Sequence, residues 1–229
     1  ARFSGSASGR GSAAAAVSDA VLMPGGINPK TGRRYDWEAK QAEARKEDDD
    51  LKALQQQISL LKRQQKAVEA RTKFMTFIKF TSPDPEDPND VERSKYKNAK
   101  HHDAIARVIE EVVEGNIPFL ILTMPPRHGK SEQVSRRLPA WFIGRFPHLN
   151  GVVATYNDDF AMDFGKDVRS IVKTPQFKQV FPTVSLQRGG SASDRLQAMQ
   201  GGQWSFVGRG GSLTGRGAHL LIIDDLIKD

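Results

Sequence analysis

Three short, almost wholly apolar runs limit the possible folds of this chain more than any other feature. They are residues 119–123 (FLILT), 151–156 (GVVATY) and 220–223 (LLII). Such runs are typical of strands buried on both faces of a parallel sheet. The segments between them carry helical patterns, over 132 to about 143 and over 158–173. Because strands that alternate with helices form sheets covered by helices, the sequence predicts an α/β fold.

Two further patterns belong to the same predicted domain. Before Gly115, which is placed to end a helix, five apolar side chains recur at the spacing of a core-facing helix: Ile105, Val108, Ile109, Val112 and Val113. Residues 195–199 and 203–207, joined across Gly201 and Gly202, predict a hairpin inserted before the third apolar run.

The N-terminal third of the chain has a different composition. Residues 1–36 are rich in Gly, Ser and Ala and predict a flexible arm. Residues 37 to about 73 predict one long helix, and the proline-rich stretch 81–89 interrupts it. We therefore expect an arm over 1–36, a helix and linker over 37–85, and an α/β domain over 86–229.

The long helix has two interpretations. Five of its side chains follow a 3–4 spacing that Gln65 interrupts: Leu51, Leu54, Ile58, Leu61 and Val68. The favoured interpretation is an amphipathic helix lying on its own domain, because the pattern is shorter than three to four full heptads. The alternative is a coiled-coil dimer.

Composition excludes several classes of protein. The chain has no cysteine, so it can hold no disulfide, no thiolate zinc site and no cysteine nucleophile. No apolar run approaches the ~20 residues of a membrane-spanning helix. With 34 Lys and Arg against 27 Asp and Glu, the net charge of +7 suits a polyanionic partner without requiring one.

A phosphate-loop pattern follows the first apolar run. Residues 124–131 fit G-x-x-x-x-G-K-[ST], except that Met124 replaces the first glycine. A loop between a strand and a helix start turns backbone N–H groups towards one point, which suits a triphosphate. Gly129 would allow close approach, Lys130 would reach the β- and γ-phosphates, and the Ser131 hydroxyl would bind Mg²⁺. The residues predicted to bind ATP are Pro125, Pro126, Arg127, His128, Gly129, Lys130, Ser131 and Glu132.

Two aspartates, Asp224 and Asp225, follow the third apolar run. A G-K-S tripeptide alone is often only a helix start with an exposed lysine, and this pair is what favours the nucleotide interpretation. Asp224 is predicted to hold Mg²⁺ together with Ser131, and Asp225 to polarise the attacking water. Because Glu is more usual at the second position, the alternative is that Asp225 lies outside direct contact with that water.

Several basic side chains are candidates for contact with phosphate. Arg127 is predicted to complete a catalytic set with Lys130, Asp224 and Asp225, and Arg216 is a second candidate for neutralising transition-state charge. Six more are candidates for contact with the phosphate backbone of a nucleic acid, and no motif that reads bases accompanies them: Arg136, Arg137, Lys166, Arg169, Lys173 and Lys178.

Four stretches of the sequence are characteristic in combination: TMPPRHGKSE (123–132), VVATYND (152–158), GSLTGRGAHLLIIDD (211–225) and LIKD (226–229). Together they resemble the N-terminal ATPase domain of the large terminase subunit of tailed bacteriophages. The resemblance extends from about Phe74 to the end of the sequence. The phosphate loop combined with LLIIDD is its most specific part.

The resemblance implies a P-loop NTPase of the additional-strand, RecA-like type, with a mostly parallel sheet flanked by helices. It implies a motor that binds ATP and Mg²⁺ and drives double-stranded DNA into an empty capsid. The implied partners are the DNA, the portal protein of the procapsid, the small terminase subunit and further copies of the chain in a ring. The implied location is the host cell cytoplasm, transiently at the portal, and not the mature virion.

Two parts of the family pattern do not occur in the sequence. The family inserts a later strand between the phosphate-loop strand and the Walker B strand that ends in Asp224, and it carries a C-terminal nuclease that cuts concatemeric DNA. We therefore expect a chain truncated after the Walker B strand, with motor residues and no nuclease. Two other functions stay open: another nucleic-acid P-loop ATPase such as a helicase, and a non-catalytic terminase assembly module.

Overall fold

A computed structural model describes residues 26–27, 32, 36–187, 194–211 and 217–227. The chain divides into two compact units, Ala1–Gln56 and Gln57–Asp229. The boundary expected near residue 85 therefore runs through the second unit. Almost all of the arm predicted over 1–36 lies outside the described residues.

Six α-helices and one π-helix are described. They are α1 (Trp37–Ala70), α2 (Phe74–Phe80), α3 (Lys100–Val113), the π-helix (Glu132–Arg137), α4 (Leu138–Arg145), α5 (Asp158–Lys173) and α6 (Pro175–Val180). The helix predicted over 158–173 is confirmed at both ends. Its N-terminus is capped by Asn157, whose side-chain oxygen accepts a hydrogen bond from the Phe160 N–H at 2.8 Å. Gly115 follows α3 with a φ of 83°, as expected of a glycine that ends a helix.

Four strands form one sheet. They are β1 (Gly151–Thr155), β2 (Arg195–Gln197), β3 (Gln203–Gly208) and β4 (Leu220–Ile223), in the order β2-β3-β1-β4. Strand β1 pairs in parallel with both β3 and β4, and β2 pairs antiparallel with β3. The predicted α/β class, the hairpin and two of the three apolar strands are therefore confirmed.

The first of the three predicted apolar strands is not formed. Residues 119–123 belong to no strand of the described sheet, and the side chains of Phe119 and Ile121 are 91% and 93% exposed. The prediction of a buried strand here is wrong for a physical reason. Both edges of β1 are already paired, and residues 119–123 pair with neither of the free outer edges, those of β4 and β2, so their backbone groups have no sheet partner.

The core lies between the sheet and the helices of the second unit. Its largest fully buried side chains are aromatic: Phe74, Phe77, Trp141, Phe164, Phe177, Trp204 and Phe206. The indole N–H of Trp141 donates to the Ala70 carbonyl oxygen at 3.0 Å, so its polar atom is satisfied inside the core. This contact fixes the end of α1 against α4.

Helix α1 turns its apolar stripe away from that core. The small side chains of Ala67 and Ala70 are buried, and the guanidinium of Arg63 donates to the Gln179 side chain at 2.7 Å. These three positions share one helical face because they are three or four residues apart. The five side chains of the 3–4 pattern are all exposed: Leu51, Leu54, Ile58, Leu61 and Val68. Ile58, Leu61 and Val68 belong to the second unit and do not pack on its core, so the favoured interpretation, in which the stripe lies on its own domain, is wrong for this part of the helix. The coiled-coil alternative stays a prediction.

The helix predicted over 132 to about 143 begins as a π-helix. The N–H of Leu138 bonds to the carbonyl of Gln133, five residues earlier, before α4 continues to Arg145. Single π-turns inside helices occur frequently at functional sites. This one begins directly after the phosphate-loop sequence.

Candidate functional site

The segment 124–131 forms a tight loop in front of the π-helix. Arg127 has a φ of 64° and Gly129 a φ of 83°. The left-handed region of backbone conformation is unfavourable for any residue that has a side chain. Among the described residues other than glycine, only Arg127 and Asp225 adopt it. Both residues were predicted to be catalytic. Backbone strain is therefore concentrated at the two segments that the sequence singled out.

Lys130 connects this loop to the end of strand β4. Its ammonium nitrogen lies 2.6 Å from Oδ1 of Asp225 and 3.1 Å from Oδ1 of Asp224. The loop and the aspartates are about 95 residues apart in sequence. The fold therefore brings together the three charged side chains that the sequence predicted to act together.

The two aspartates differ in their surroundings. The side chain of Asp224 is 5% exposed, and its Oδ2 accepts a hydrogen bond from the Ser135 hydroxyl at 2.6 Å. The side chain of Asp225 is 67% exposed. The backbone of this residue has a φ of 48°, which Asp tolerates better than most residues. One carboxylate is thus fixed in the protein and the other faces water.

Ser135 was not among the predicted site residues. The sequence predicts that Asp224 and Ser131 together hold Mg²⁺. The hydroxyl that contacts Asp224 is that of Ser135, one turn further along the π-helix. No local pattern marks Ser135, because its partner lies 89 residues away.

The charge of Lys130 responds to this environment. Partial burial acts to lower the pKa of the ammonium group, but the hydrogen bonds to Asp225 and Asp224 outweigh it and raise the pKa above its ordinary value of 10.5. Lys130 is therefore firmly positive at neutral pH and is available to hold an anion.

Two histidines contact the backbone of the loop. The His102 ring nitrogen Nε2 lies 2.9 Å from the His128 carbonyl oxygen, and His128 Nδ1 lies 2.9 Å from the Pro126 carbonyl oxygen. A Cβ atom on Gly129 would lie 2.8 Å from His102 Nε2, so the close approach of this ring requires glycine. The sequence places His128 among the residues predicted to bind ATP, and it makes His102 a candidate for contact with the adenine or for helix capping. The capping bond is present, from the Ala99 N–H to Nδ1 of His102 at 3.1 Å. The contact of His102 with the loop has no local signal in the sequence.

The remaining predicted site residues lie around the loop. Pro125, Pro126 and Arg127 are exposed, whereas Glu132 is half-buried and accepts a hydrogen bond from Nε of Arg137 at 2.8 Å. Glu132 therefore faces a helix side chain and holds the start of the π-helix. Arg216 lies outside the described residues.

Most of the basic side chains expected to contact DNA are engaged within the fold. Arg136 pairs with Asp167 at 2.6 Å, and Lys166 pairs with Asp163 at 2.9 Å. Lys178 donates to the Val184 carbonyl oxygen. Because exposed ion pairs are weak, these pairs compete only slightly with a polyanion.

The described ranges contain no cluster of three or more His, Asp or Glu side chains with the arrangement of a metal site. Within the same ranges, none of the helices combines the length and apolar character needed to cross a bilayer. Comparisons with family models, curated proteins and solved structures give no significant match.

Proposed function

We propose that the chain is a P-loop ATPase whose loop 124–131 binds the triphosphate of ATP. The observation that carries the proposal is the contact of Lys130 with both aspartates at the end of β4. A strongly positive lysine beside a glycine-containing loop and a helix start suits the β- and γ-phosphates.

The donor atoms around Lys130 fit Mg²⁺. Mg²⁺ prefers oxygen ligands and is usually held in nucleotide sites by one or two protein groups, with phosphate and water completing its shell. The carboxylate of Asp224 and the hydroxyl of Ser131 would supply those protein ligands. Bound there, the ion would neutralise charge on the phosphates.

The two aspartates suit two different tasks. Asp224 is buried and held by Ser135, so its position is fixed, as a ligand must be. Asp225 is exposed to water, so its carboxylate can accept a proton from a water molecule that attacks the γ-phosphate. Lys130 would leave Asp225 for the phosphates when ATP binds, which frees this carboxylate at the moment it is needed.

The same proposal accounts for the unpaired segment 119–123. In the additional-strand type of P-loop fold, one more strand lies between the phosphate-loop strand and the Walker B strand. The outer edge of β4 is free in the described sheet, and Leu221 and Ile223, which lie on the same face of this strand, are 55% and 58% exposed. A strand added at this edge would pair with β4 on one side and with residues 119–123 on the other.

The resemblance to the large terminase subunit extends the proposal to a DNA-packaging motor. In that function ATP hydrolysis moves double-stranded DNA through the portal into a procapsid, with the small terminase subunit and a ring of copies as partners. The supporting observations are the four sequence motifs and the net charge of +7. Another nucleic-acid ATPase would share the site chemistry, and an assembly module would share only the nucleotide binding.

The test is Mg²⁺-dependent ATP binding and turnover by the longest native form of the chain. Lys130→Ala is expected to weaken ATP binding at least tenfold, and Asp225→Asn to abolish turnover while ATP still binds. Lys166→Ala is the matched control, because Lys166 is also paired with an aspartate and its hydrogen bond to Asp163 raises its pKa. If Lys130→Ala and Lys166→Ala bind ATP as tightly as the wild type, the loop is not a nucleotide site.

Added partners separate the possible functions. Turnover that rises with double-stranded DNA and procapsids supports the motor, whereas turnover that rises with DNA and is linked to strand separation supports a helicase. Binding of ATP without turnover in any mixture, with assembly unaffected by Asp225→Asn, supports the assembly module.

A further inference from the structure

His102 has both ring nitrogens in hydrogen bonds with the backbone. At the third position of α3, Nδ1 accepts from the N–H of Ala99 at 3.1 Å, and Nε2 lies 2.9 Å from the His128 carbonyl oxygen. A backbone N–H only donates and a carbonyl only accepts. The ring is therefore neutral, with its single proton on Nε2 donated to the loop.

This second bond fixes the direction of one loop peptide. In a trans peptide the carbonyl and the following N–H point to opposite sides. Because the His128 carbonyl points at His102, the N–H of Gly129 points away from α3. The bond thus holds one loop donor on the side from which a phosphate would approach.

The neighbouring residues need such a restraint. Arg127 and Gly129, on either side of His128, both have positive φ, and for Arg127 this conformation is unfavourable by itself. The second bond within the loop, from His128 Nδ1–H to the Pro126 carbonyl, restrains the same turn from the other side. The close contact between His102 and Gly129 leaves no room for a side chain between ring and loop.

We propose that His102 is a positioning residue for the phosphate loop: its neutral Nε2–H tautomer holds the His128 carbonyl and thereby presents the Gly129 N–H to a bound triphosphate. The proposal rests on the proposed function of the loop, and it adds a residue outside the phosphate-loop pattern. The capping bond to Ala99 is the second role of the same ring, and it ties the start of α3 to the loop.

Three variants separate the two roles. His102→Gln keeps both, because its amide can accept from Ala99 and donate to the His128 carbonyl. His102→Glu keeps the capping role, since Glu is favoured at this helix position, but it has no proton to donate. His102→Ala loses both. His101→Gln is the matched control, because the His101 ring meets the His102 ring edge-on at 4.1 Å and, in the described part of the chain, makes no hydrogen bond to the loop.

The first readout is the affinity for ATP with Mg²⁺. Loss of one neutral hydrogen bond predicts a Kd about 3- to 10-fold weaker for His102→Ala, and a larger loss for His102→Glu, whose charge also repels phosphate. His102→Gln is expected to stay within about threefold of the wild type, which corresponds to less than one such bond. If Glu and Ala bind as Gln does, the ring acts only as a helix cap and the proposal is overturned.

Two further readouts need no nucleotide. Hydrogen exchange at the amides of Gly129 and Lys130 is expected to accelerate in His102→Ala and His102→Glu but not in His102→Gln. Nitrogen NMR of the wild-type ring is expected to show the proton on Nε2, and a ring protonated on Nδ1 would overturn the proposal even if every variant failed to fold. If the wild type binds no ATP while both readouts hold, the proposed function fails and the positioning role stands.

Discussion

Residues 119–123 and strand β1 (Gly151–Thr155) look alike in sequence and differ completely in the fold. Both are five-residue, mainly apolar runs, yet every residue of β1 is buried, whereas Phe119 and Ile121 are almost fully exposed. Strand β1 has β3 on one side and β4 on the other. An apolar run therefore forms a strand only where a neighbouring strand accepts its backbone hydrogen bonds, and β1, with a neighbour on each side, is buried throughout.

The strongest test of this contrast places a charge in each run. Val153→Asp puts an unpaired carboxylate at a fully buried position and is expected to lower the free energy of unfolding by more than about 4 kcal/mol. Ile121→Asp is expected to change it by less than about 0.5 kcal/mol, because that side chain already faces water. Urea unfolding followed by circular dichroism measures both.

Val153→Ala provides the size control for that pair. It removes apolar volume without adding charge and is expected to cost about 1 to 3 kcal/mol. If Ile121→Asp were as harmful as Val153→Asp, residues 119–123 would be buried in solution and the contrast would be lost.

A second test compares neighbours within strand β4, which has a partner on one side only. Ile222 is 5% exposed and Ile223 is 58% exposed. Ile222→Ala is expected to lower the free energy of unfolding by about 2 to 4 kcal/mol, and Ile223→Ala by less than about 1 kcal/mol. Equal losses measured by urea unfolding would mean that the face of β4 that carries Ile223 is covered in solution.

A third test concerns the first residue of each run. A Cβ atom on Gly151 would lie 2.5 Å from the Trp204 ring, so Gly151→Val is expected to cost about 1 to 3 kcal/mol through overpacking. Phe119→Val changes an exposed side chain and is expected to leave thermal unfolding within about 2 °C of the wild type. A lower melting temperature for Phe119→Val than for Gly151→Val would reverse the comparison.

The smallest expected effect concerns how the loop after residues 119–123 is attached to the sheet. Without strand pairing, the contact of Lys130 with Asp224 and Asp225 is a direct link to β4. Lys130→Met is expected to cost about 1 kcal/mol or less, because one of the two carboxylates is exposed. The folded-state pKa of Lys130 is raised, so its stabilising contribution is complete below pH 10.5 and is lost as the pH rises through the folded-state pKa.

The measurement is the difference in unfolding free energy between wild type and Lys130→Met from pH 7 to 11.5. The difference is expected to stay constant up to about pH 10 and then to shrink. Lys166→Met supplies the comparison with a fully exposed ion pair. A difference that grows with pH would contradict the link.

The sequence predicts the parts of this fold that depend on local pattern. The bounds of α5 and β4 agree residue by residue, because an amphipathic face and an Asn cap, or a short apolar run before a charged pair, are sufficient signals. It also identifies Lys130, Asp224 and Asp225 as one site, because each ends or follows an apolar run at what would be the same sheet edge.

The parts that it misses depend on distant partners. Residues 119–123 have the pattern of a strand, but they pair with no strand of the described sheet. Ser135 contacts Asp224, and His102 contacts the His128 carbonyl. No residue close to either of them in the sequence indicates these contacts. The apolar stripe of α1 was assigned to the core because the pattern alone does not show that Ala67 and Ala70 supply the face that packs.

The π-helix that follows the loop holds an extra residue in its turn. A π-turn contains one residue more than an α-turn, so conversion of Glu132–Arg137 to α-helix would release one residue towards Lys130. Such a change moves the preceding backbone by about 1.5 Å along the helix axis and rotates it by about 100°. It would also carry Ser135 away from Asp224. The residue that anchors Asp224 therefore lies in the same π-turn into which the loop leads.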